Sequence, residues 1–392
     1  MTGALLVTDV LRARTAVLLT FMLNGFGFAS YASRIPEIRS SLELTNSELG
    51  LLLLTLSAGS MVALPTTGVL VHRWGAASVV RVGVLLDALG LLACGLGTGW
   101  LESVLVTGFA FVTYGVGVAL WEVGMNVEGA GVERGLGRSI MPRFHAGWSI
   151  GSVVGAAYAA VLVALGVPLS VHLGSAALVV LLVGTAATGR YLPRIEEPDG
   201  PAPSRSMLAA WLEPRTLLIG LMMLALALTE GVANDWLAVA LIDGYQVPHW
   251  VGVAGFGLFV TSMTAGRFFG PLILDRHGRV PVLWVTMAVA GCGVLLIVFG
   301  GALPLVVVGI VAWGLGASLG FPVGVSAASD DPVHAAARVS VVTSIAYTAF
   351  LAGPPLLGFV GDRVGTLHAL LVVALLLIPS AMVVPAARER RS

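Results

Sequence analysis

The stretch Gly270-Pro271-Leu272-Ile273-Leu274-Asp275-Arg276-His277-Gly278-Arg279 decides the architecture, because the chain uses it more than once. An apolar run near 249–274 leads into it and another, near 281–301, leads out. Each run is long enough to cross the ~30 Å hydrocarbon layer as a helix, so the charged turn joins two spans. The same arrangement occurs at Gly68-Val69-Leu70-Val71-His72-Arg73-Trp74-Gly75, between runs near 48–71 and 79–98. Arg73 and Gly75 correspond to Arg276 and Gly278, and His72 stands where the second copy has Asp275. A third copy, Gly358-Phe359-Val360-Gly361-Asp362-Arg363-Val364-Gly365, closes the run near 339–361. Repetition of this kind predicts a three-helix unit repeated within each half of the chain.

Working outward, further apolar runs lie near 15–34, 103–128, 144–166, 168–189, 215–242, 303–327 and 366–386, which brings the expected number of spans to twelve. Backbone groups in lipid must be satisfied within their own segment, and runs of ~20 residues are too long for barrel strands. The expected fold class is therefore an all-α membrane protein. Residues 191–214 interrupt the pattern with Pro193, Pro198, Pro201, Pro203 and Pro214 and with Glu196, Glu197 and Asp199. Such a segment is too polar for lipid and too rich in proline for a helix interior. The expected division is a six-helix bundle over 1–190, a cytoplasmic linker over 191–214 and a second six-helix bundle over 215–392.

Composition excludes several classes of function. Of 392 residues 57% are hydrophobic and 11% charged, against roughly 25% charged in a soluble protein, and the mean hydropathy is +0.96. The 21 basic residues are all arginine and are balanced by 21 acidic ones, so no basic nucleic-acid surface is expected. With no lysine there is no phosphate-binding loop of the ATPase type. Cys94 and Cys292 sit in apolar runs and read as small packing residues. No Cys/His grouping has zinc spacing, and the 24-residue linker is too short for a catalytic domain, so neither metal nor enzymatic activity is expected. An arginine-only chain rich in Ala, Val, Gly and Leu has the composition of a bacterium with a GC-rich genome.

Arg12 and Arg14 precede the first run with no small-residue cleavage site after it, so that run reads as a span and not as a removed signal. With the N-terminus inside, 17 arginines fall on cytoplasmic segments and only Arg34, Arg39 and Arg363 outside, with Arg267 left within a span. This bias places both termini in the cytoplasm and the chain in the inner membrane of the cell.

The D-R-x-G loop after spans two and eight, the six-plus-six division and the polar linker resemble the major facilitator superfamily over essentially the whole chain. Trp121-Glu122-Val123-Gly124-Met125-Asn126, Arg143-Phe144-His145-Ala146-Gly147-Trp148 and Thr229-Glu230-Gly231-Val232-Ala233-Asn234-Asp235-Trp236 are similar to its fucose-permease-like bacterial branch. The resemblance implies two bundles around a central cavity that rock to give alternating access. It also implies a monomer in membrane lipid, and the proton gradient as energy source without a cofactor. It matches Glu122 to the acidic proton carrier of span four. Gating is expected at Arg73, Gly75, Asp275, Arg276 and Gly278, with Arg267 joining this cytoplasmic latch. His72 replaces an acidic latch residue of the family.

A charge inside the bilayer costs about 2.5–3.5 kcal/mol, so such residues face a cavity or a partner. Glu122 and Asn126 are four apart on one face of span four. In span seven Glu230 and Asn234 share a face, and Asp235 joins them only if Gly231 lets the helix unwind. Glu122, Glu230 and Asp235 are the expected proton-coupling residues. Asn24, Tyr31, Asn126, Trp148, Asn234 and Tyr347 are the expected solute contacts, as amides, phenols and rings that bind a hydroxylated solute. Asp87 reads as an interhelical partner in span three, and Gly147, Gly151 and Gly155 as a packing face of span five. These residues point to proton-coupled uptake of a small polar or sugar-like solute. Proton-coupled efflux of an amphipathic compound stays open, although span five lacks the G-P-x-x-G-G pattern of antiporters. So does a non-transporting membrane receptor.

Overall fold

The computed structural model describes residues 7–137, 140–192, 209–330 and 334–389. The linker prolines Pro193, Pro198, Pro201 and Pro203, its acidic residues Glu196, Glu197 and Asp199, and Arg138, Arg194, Arg205, Arg390 and Arg391 lie outside the described residues. Among the described residues there is no strand. Twelve helices among the described residues are long and apolar enough to cross a membrane. We number them as spans one to twelve: Thr8–Ser41, Asn46–Trp74, Ala76–Gly99, Val104–Leu136, Met141–Ala164, Leu169–Thr188, Pro214–Tyr245, His249–His277, Arg279–Phe299, Leu303–Ala328, Ala337–Val364 and Thr366–Ala387. The chain forms two compact units, Met1–Glu196 and Glu197–Ser392.

The repeated turn owes its glycine to backbone geometry. Gly75, Gly278 and Gly365 have φ of 79°, 75° and 83° with ψ of 155°, 170° and 148°. That region of the map is open essentially only to glycine. Each of the three also donates its N–H to the carbonyl four residues back, on Val71, Leu274 and Gly361. One local solution, a helix stopped and redirected within one residue, thus serves three places in the chain.

Span four runs on past the apolar run that announced it, continuing to Leu136 instead of ending near 128. The extra two turns carry Glu133, whose carboxylate accepts the N–H groups of Ile140 and Met141 at 2.6 and 2.8 Å and so satisfies donors at the start of span five. Hydropathy ends where lipid ends, whereas the helix continues as long as its backbone and caps allow. Span two opens on a capping box, with Thr45 Oγ1 accepting from Glu48 N–H and the Glu48 carboxylate accepting from Thr45 N–H.

In the N-terminal unit, span one lies against span five through small residues. A methyl group placed on Gly25 would sit 2.1 Å from the Trp148 carbonyl oxygen, one on Gly151 1.9 Å from that of Met22, and one on Gly155 2.6 Å from that of Phe26. The backbones therefore touch, as expected for the glycine face of span five. At the end of span one, Arg34 is 2% exposed. It donates from Nε to His172 Nδ1 at 2.8 Å and from Nη2 to the Val167 carbonyl at 2.9 Å, and it pairs with Glu37.

In the C-terminal unit, span seven packs most heavily on span eleven, and span nine on spans ten and twelve. The arginine-rich helix ends are joined by ions. Asp330 accepts from Arg215 at 2.8 Å and Arg279 at 2.6 Å, and Arg338 donates to both carboxylate oxygens of Glu213 at 2.6 and 3.1 Å. The Arg338 hydrogen bonds hold the Glu213 carboxyl below its ordinary range against the opposing effect of burial. Burial by itself would raise Asp330, but the hydrogen bonds and charges of Arg215 and Arg279 outweigh it and hold that carboxyl low as well.

Groups depressed in the folded state stabilise it above their unfolded pKa of about 4, and that contribution is lost as pH falls through the folded values. Acidification below about pH 5 is therefore expected to lower the thermal midpoint of the wild type more steeply than that of the Glu213→Gln/Asp330→Asn double variant, by several degrees. Parallel curves would show that this network contributes no pH-dependent stability.

Candidate functional site

Each unit holds its own set of polar side chains at membrane depth. In the N-terminal unit, Asn24 comes from the middle of span one and Trp148 from span five. Their helices are held in contact by the glycines around them, and Trp148 Nε1 donates to Asn24 Oδ1 at 2.9 Å. Asn24 is 6% exposed, and its Nδ2 has no hydrogen-bond partner among the described residues. The Phe28 ring lies 5.7 Å from that of Trp148 and 5.5 Å from that of Tyr31. Tyr31 also packs on Tyr114 and Phe111, at 5.1 and 5.8 Å, and is only 4% exposed. The structure thus brings Asn24 and Trp148 together and buries Tyr31 behind them in an aromatic cluster.

Span four presents Glu122 half-buried, with no hydrogen bond or ion pair to its carboxylate among the described residues. Asn126, one turn further on, uses its amide locally, donating to the Glu122 carbonyl at 2.8 Å. Asp87 does not tie span three to a neighbour, contrary to expectation. It is 1% exposed, and neither carboxylate oxygen has a hydrogen-bond partner among the described residues. The reason lies across the interface, where Gly27 of span one offers no side chain and its Cβ position is 3.3 Å from Asp87 Oδ2.

The C-terminal unit corrects two expectations. Arg267 does not join the turn at Asp275 and Arg276. Its Nη2 donates to Glu230 Oε2 of span seven at 2.8 Å, and its Nε approaches the Ser318 carbonyl at 3.4 Å. Arg267 lies eight residues before Asp275, which on a helix rising ~1.5 Å per residue is about 12 Å away, so the nearest carboxylate is on the adjacent span. Nor does Gly231 unwind span seven, which is one helix over Pro214–Tyr245. A Cβ at Gly231 would meet Phe350 of span eleven at 3.1 Å, so this glycine makes room for a ring. In the intact helix Asn234 stays on the face of Glu230, with its Oδ1 buried and without a hydrogen-bond partner among the described residues. Asp235 follows Gly231 by one turn, toward the span-eleven side, half-buried and without a hydrogen bond among the described residues. Tyr347 packs between Phe321 and Phe350, at 6.4 and 6.1 Å.

Of the expected gating residues, Gly75 and Gly278 make the turns described above, and Arg73 is exposed beside the first. Asp275 and Arg276 are exposed and form no hydrogen bond or ion pair among the described residues. One buried carboxylate escaped the sequence reading. Glu128 is 6% exposed, and its Oε1 accepts the Leu192 N–H at 2.5 Å, beside a Tyr191 to Thr20 hydrogen bond of 2.7 Å. It stands at the end of the apolar run expected for span four, so hydropathy did not mark it as lying within a span. A full helical continuation to Arg134, had it been allowed, would have placed it within the span.

Twelve spans in two six-span units, with a repeated glycine turn and intramembrane ion pairs, define a polytopic membrane protein of the transporter class. The profile of the Major Facilitator Superfamily matches residues 17–348, and the chain belongs to that superfamily. It is 32% identical over 372 residues to an uncharacterized MFS-type transporter of Yersinia pestis, covering 93% of this chain and 92% of that one. Among solved structures it is similar in fold to the nucleoside transporter NupG, with TM-score 0.75, 13% identity and coverage of 98% of this chain and 100% of that one. It is also similar in fold to a variant of the Escherichia coli fucose:proton symporter FucP, with TM-score 0.66, 15% identity and coverage of 97% and 100%.

Proposed function

We propose that this chain is a secondary transporter that takes up a small polar, sugar-like solute together with protons by alternating access. One observation carries the reading. In a protein that keeps most of its charges at helix ends, Glu122, Glu230 and Asp235 stand within spans, where a carboxylate is expensive unless it has a task. The names of two proteins of similar fold, a nucleoside transporter and a fucose:proton symporter, support a polar solute and proton coupling. The superfamily's role in transport supports a reading without catalytic chemistry or cofactor, driven by the proton gradient.

In this reading both termini lie in the cytoplasm and the protein works as a monomer in the cell membrane. The arginine distribution supports the orientation. Asn24 and Trp148 contact the solute in the N-terminal unit, with Tyr31 holding their aromatic support. Asn126 contributes through Glu122, and Asn234 and Tyr347 act in the C-terminal unit. The turns at Arg73, Gly75, Asp275, Arg276 and Gly278 gate the cycle. Protonation of Glu122 removes its charge from the membrane interior and permits the conformational change, and deprotonation on the other side releases the solute.

The test is proton movement in proteoliposomes loaded with a pH dye and challenged with sugars, polyols and nucleosides. Solute-induced acidification is expected in the wild type. Glu122→Gln is expected to lose proton-driven accumulation, by about tenfold or more, while keeping part of solute exchange. Full accumulation by the variant removes Glu122 from the mechanism, and proton movement in the opposite direction with lipophilic compounds turns the reading to export.

A further inference from the structure

We propose that Arg267 anchors a carboxylate, so that the solute is a hydroxylated organic acid of the sugar-acid type and not a neutral sugar. The proposal rests on the transport reading above and narrows its solute.

Arg267 stands within span eight, away from the helix ends where the other described arginines of the C-terminal unit lie. A guanidinium offers five N–H donors in a rigid fork suited to a carboxylate. Here Nη2 serves Glu230 and Nε makes a long contact to the Ser318 carbonyl, while Nη1 has no partner among the described residues. Arg267 is also the more open member of the pair, 27% exposed against 13% for Glu230. The ion pair therefore leaves unused donor capacity on its more open member. Asn234, one turn beyond Glu230 on the same face, adds a buried acceptor oxygen without a donor. A solute carrying a carboxylate and a hydroxyl would satisfy both, as acceptor to Nη1 and donor to Asn234 Oδ1.

Charge balance then fixes the coupling. More than one turn from a helix end, the other ionisable side chains in the spans of this unit are Asp235 of span seven, Cys292 of span nine and Tyr347 of span eleven, none of which supplies a positive charge; Arg215, Arg276, Arg279, Arg338 and Arg363, with Asp243, Tyr245, His249, Asp275, His277, Asp362 and His368, lie within the first or last turn of their spans. With Glu230 ionised, the pair is neutral, and a second carboxylate on Arg267 would leave a negative charge uncompensated. The balance is restored when a proton from solution forms an O–H bond on Glu230 and Arg267 passes its hydrogen bonds to the solute. One proton and one carboxylate move together, and the step carries no net charge.

The experiment uses the purified full chain in lipid nanodiscs with D-galacturonate as acid probe and D-galactose as its neutral counterpart. Binding is read by thermal shift and titration at mildly acidic and mildly alkaline pH. The wild type is expected to bind galacturonate at least about tenfold more tightly than galactose, and more tightly in acid. Arg267→Gln is expected to lose at least about tenfold of the galacturonate affinity. Glu230→Gln keeps the guanidinium and removes its competitor, so it is expected to bind galacturonate at both pH values with the affinity of the acidic wild type. A merely structural tie between spans seven and eight predicts instead that both variants weaken binding alike.

That parallel weakening, equal affinity for galactose and galacturonate, or binding of neither overturns the acid site. Galactose-driven acidification of proteoliposomes without galacturonate binding overturns it too and leaves the transport reading standing. Galacturonate binding through Arg267 with no flux of any solute overturns the transport reading and leaves the site.

Discussion

Gly151→Ala is expected to disrupt the N-terminal unit although it adds a single methyl group. That methyl would lie 1.9 Å from the Met22 carbonyl oxygen, with the Met22 carbonyl carbon and Cα at 2.6 and 2.8 Å. Non-bonded heavy atoms need roughly 3.5–4.0 Å. The obstacle is backbone on both sides, so no rotamer change relieves it, and spans one and five must move apart by roughly 1 Å or more to restore that separation. The separation also loosens the contacts at Gly25 and Gly155 and draws Asn24 from Trp148. Overpacking costs typically about 1–3 kcal/mol where side chains can yield, and this site belongs at or above the top of that range.

The expected readout is a fall of about 10 °C in the thermal midpoint of the detergent-solubilised protein, or loss of its monodisperse peak. Gly174→Ala is the matched control, since a methyl there meets only Leu92 at 3.8 Å. Equal behaviour of the two variants would mean that spans one and five are not in backbone contact.

Arg267→Gln is expected to be the most damaging change in the membrane interior of the C-terminal unit. It leaves Glu230, 13% exposed, without its counter-ion. Breaking one side of a buried pair costs roughly 3–5 kcal/mol, whereas replacing both charges is often close to neutral. Arg267, at 27% exposed, retains more contact with solvent, so Glu230→Gln is expected to cost less than Arg267→Gln. The Glu230→Gln/Arg267→Gln double variant should recover most of the loss. Thermal midpoints of the four proteins in nanodiscs close a double-mutant cycle, with an expected coupling of about 3 kcal/mol or more. Additive effects of the two substitutions would show that the pair is not formed.

Most of the architecture was legible before any coordinates, and the site was legible only as an inventory. Spans announce themselves because lipid acts on a segment as a whole, so an apolar run of sufficient length suffices. The three glycine turns were visible as repeats because one backbone conformation demands one residue type. Glu122, Glu230, Asp235, Asn24 and Trp148 were legible as polar residues out of place. Their partners were not. Arg267 read as part of a turn two helical repeats away, since along the sequence Asp275 is the nearer acid, while in space the nearer one is Glu230, 37 residues back. Asp87 read as a paired carboxylate because an unpaired one is costly, and the absence of a partner follows from a glycine on another helix.

The sequence by itself determined the twelve spans, their division into two sixes, the repeated turn and the membrane as solvent. These depend on hydropathy and backbone preference, which act within a few turns of one helix. Only the tertiary structure decided that Arg267 meets Glu230, that Trp148 meets Asn24, that Glu128 is buried, and that Gly151 leaves no room for a methyl group. Each of those depends on which helices are neighbours and how each is rotated about its axis, and lipid, being equally apolar on every side, leaves that rotation to be settled by packing.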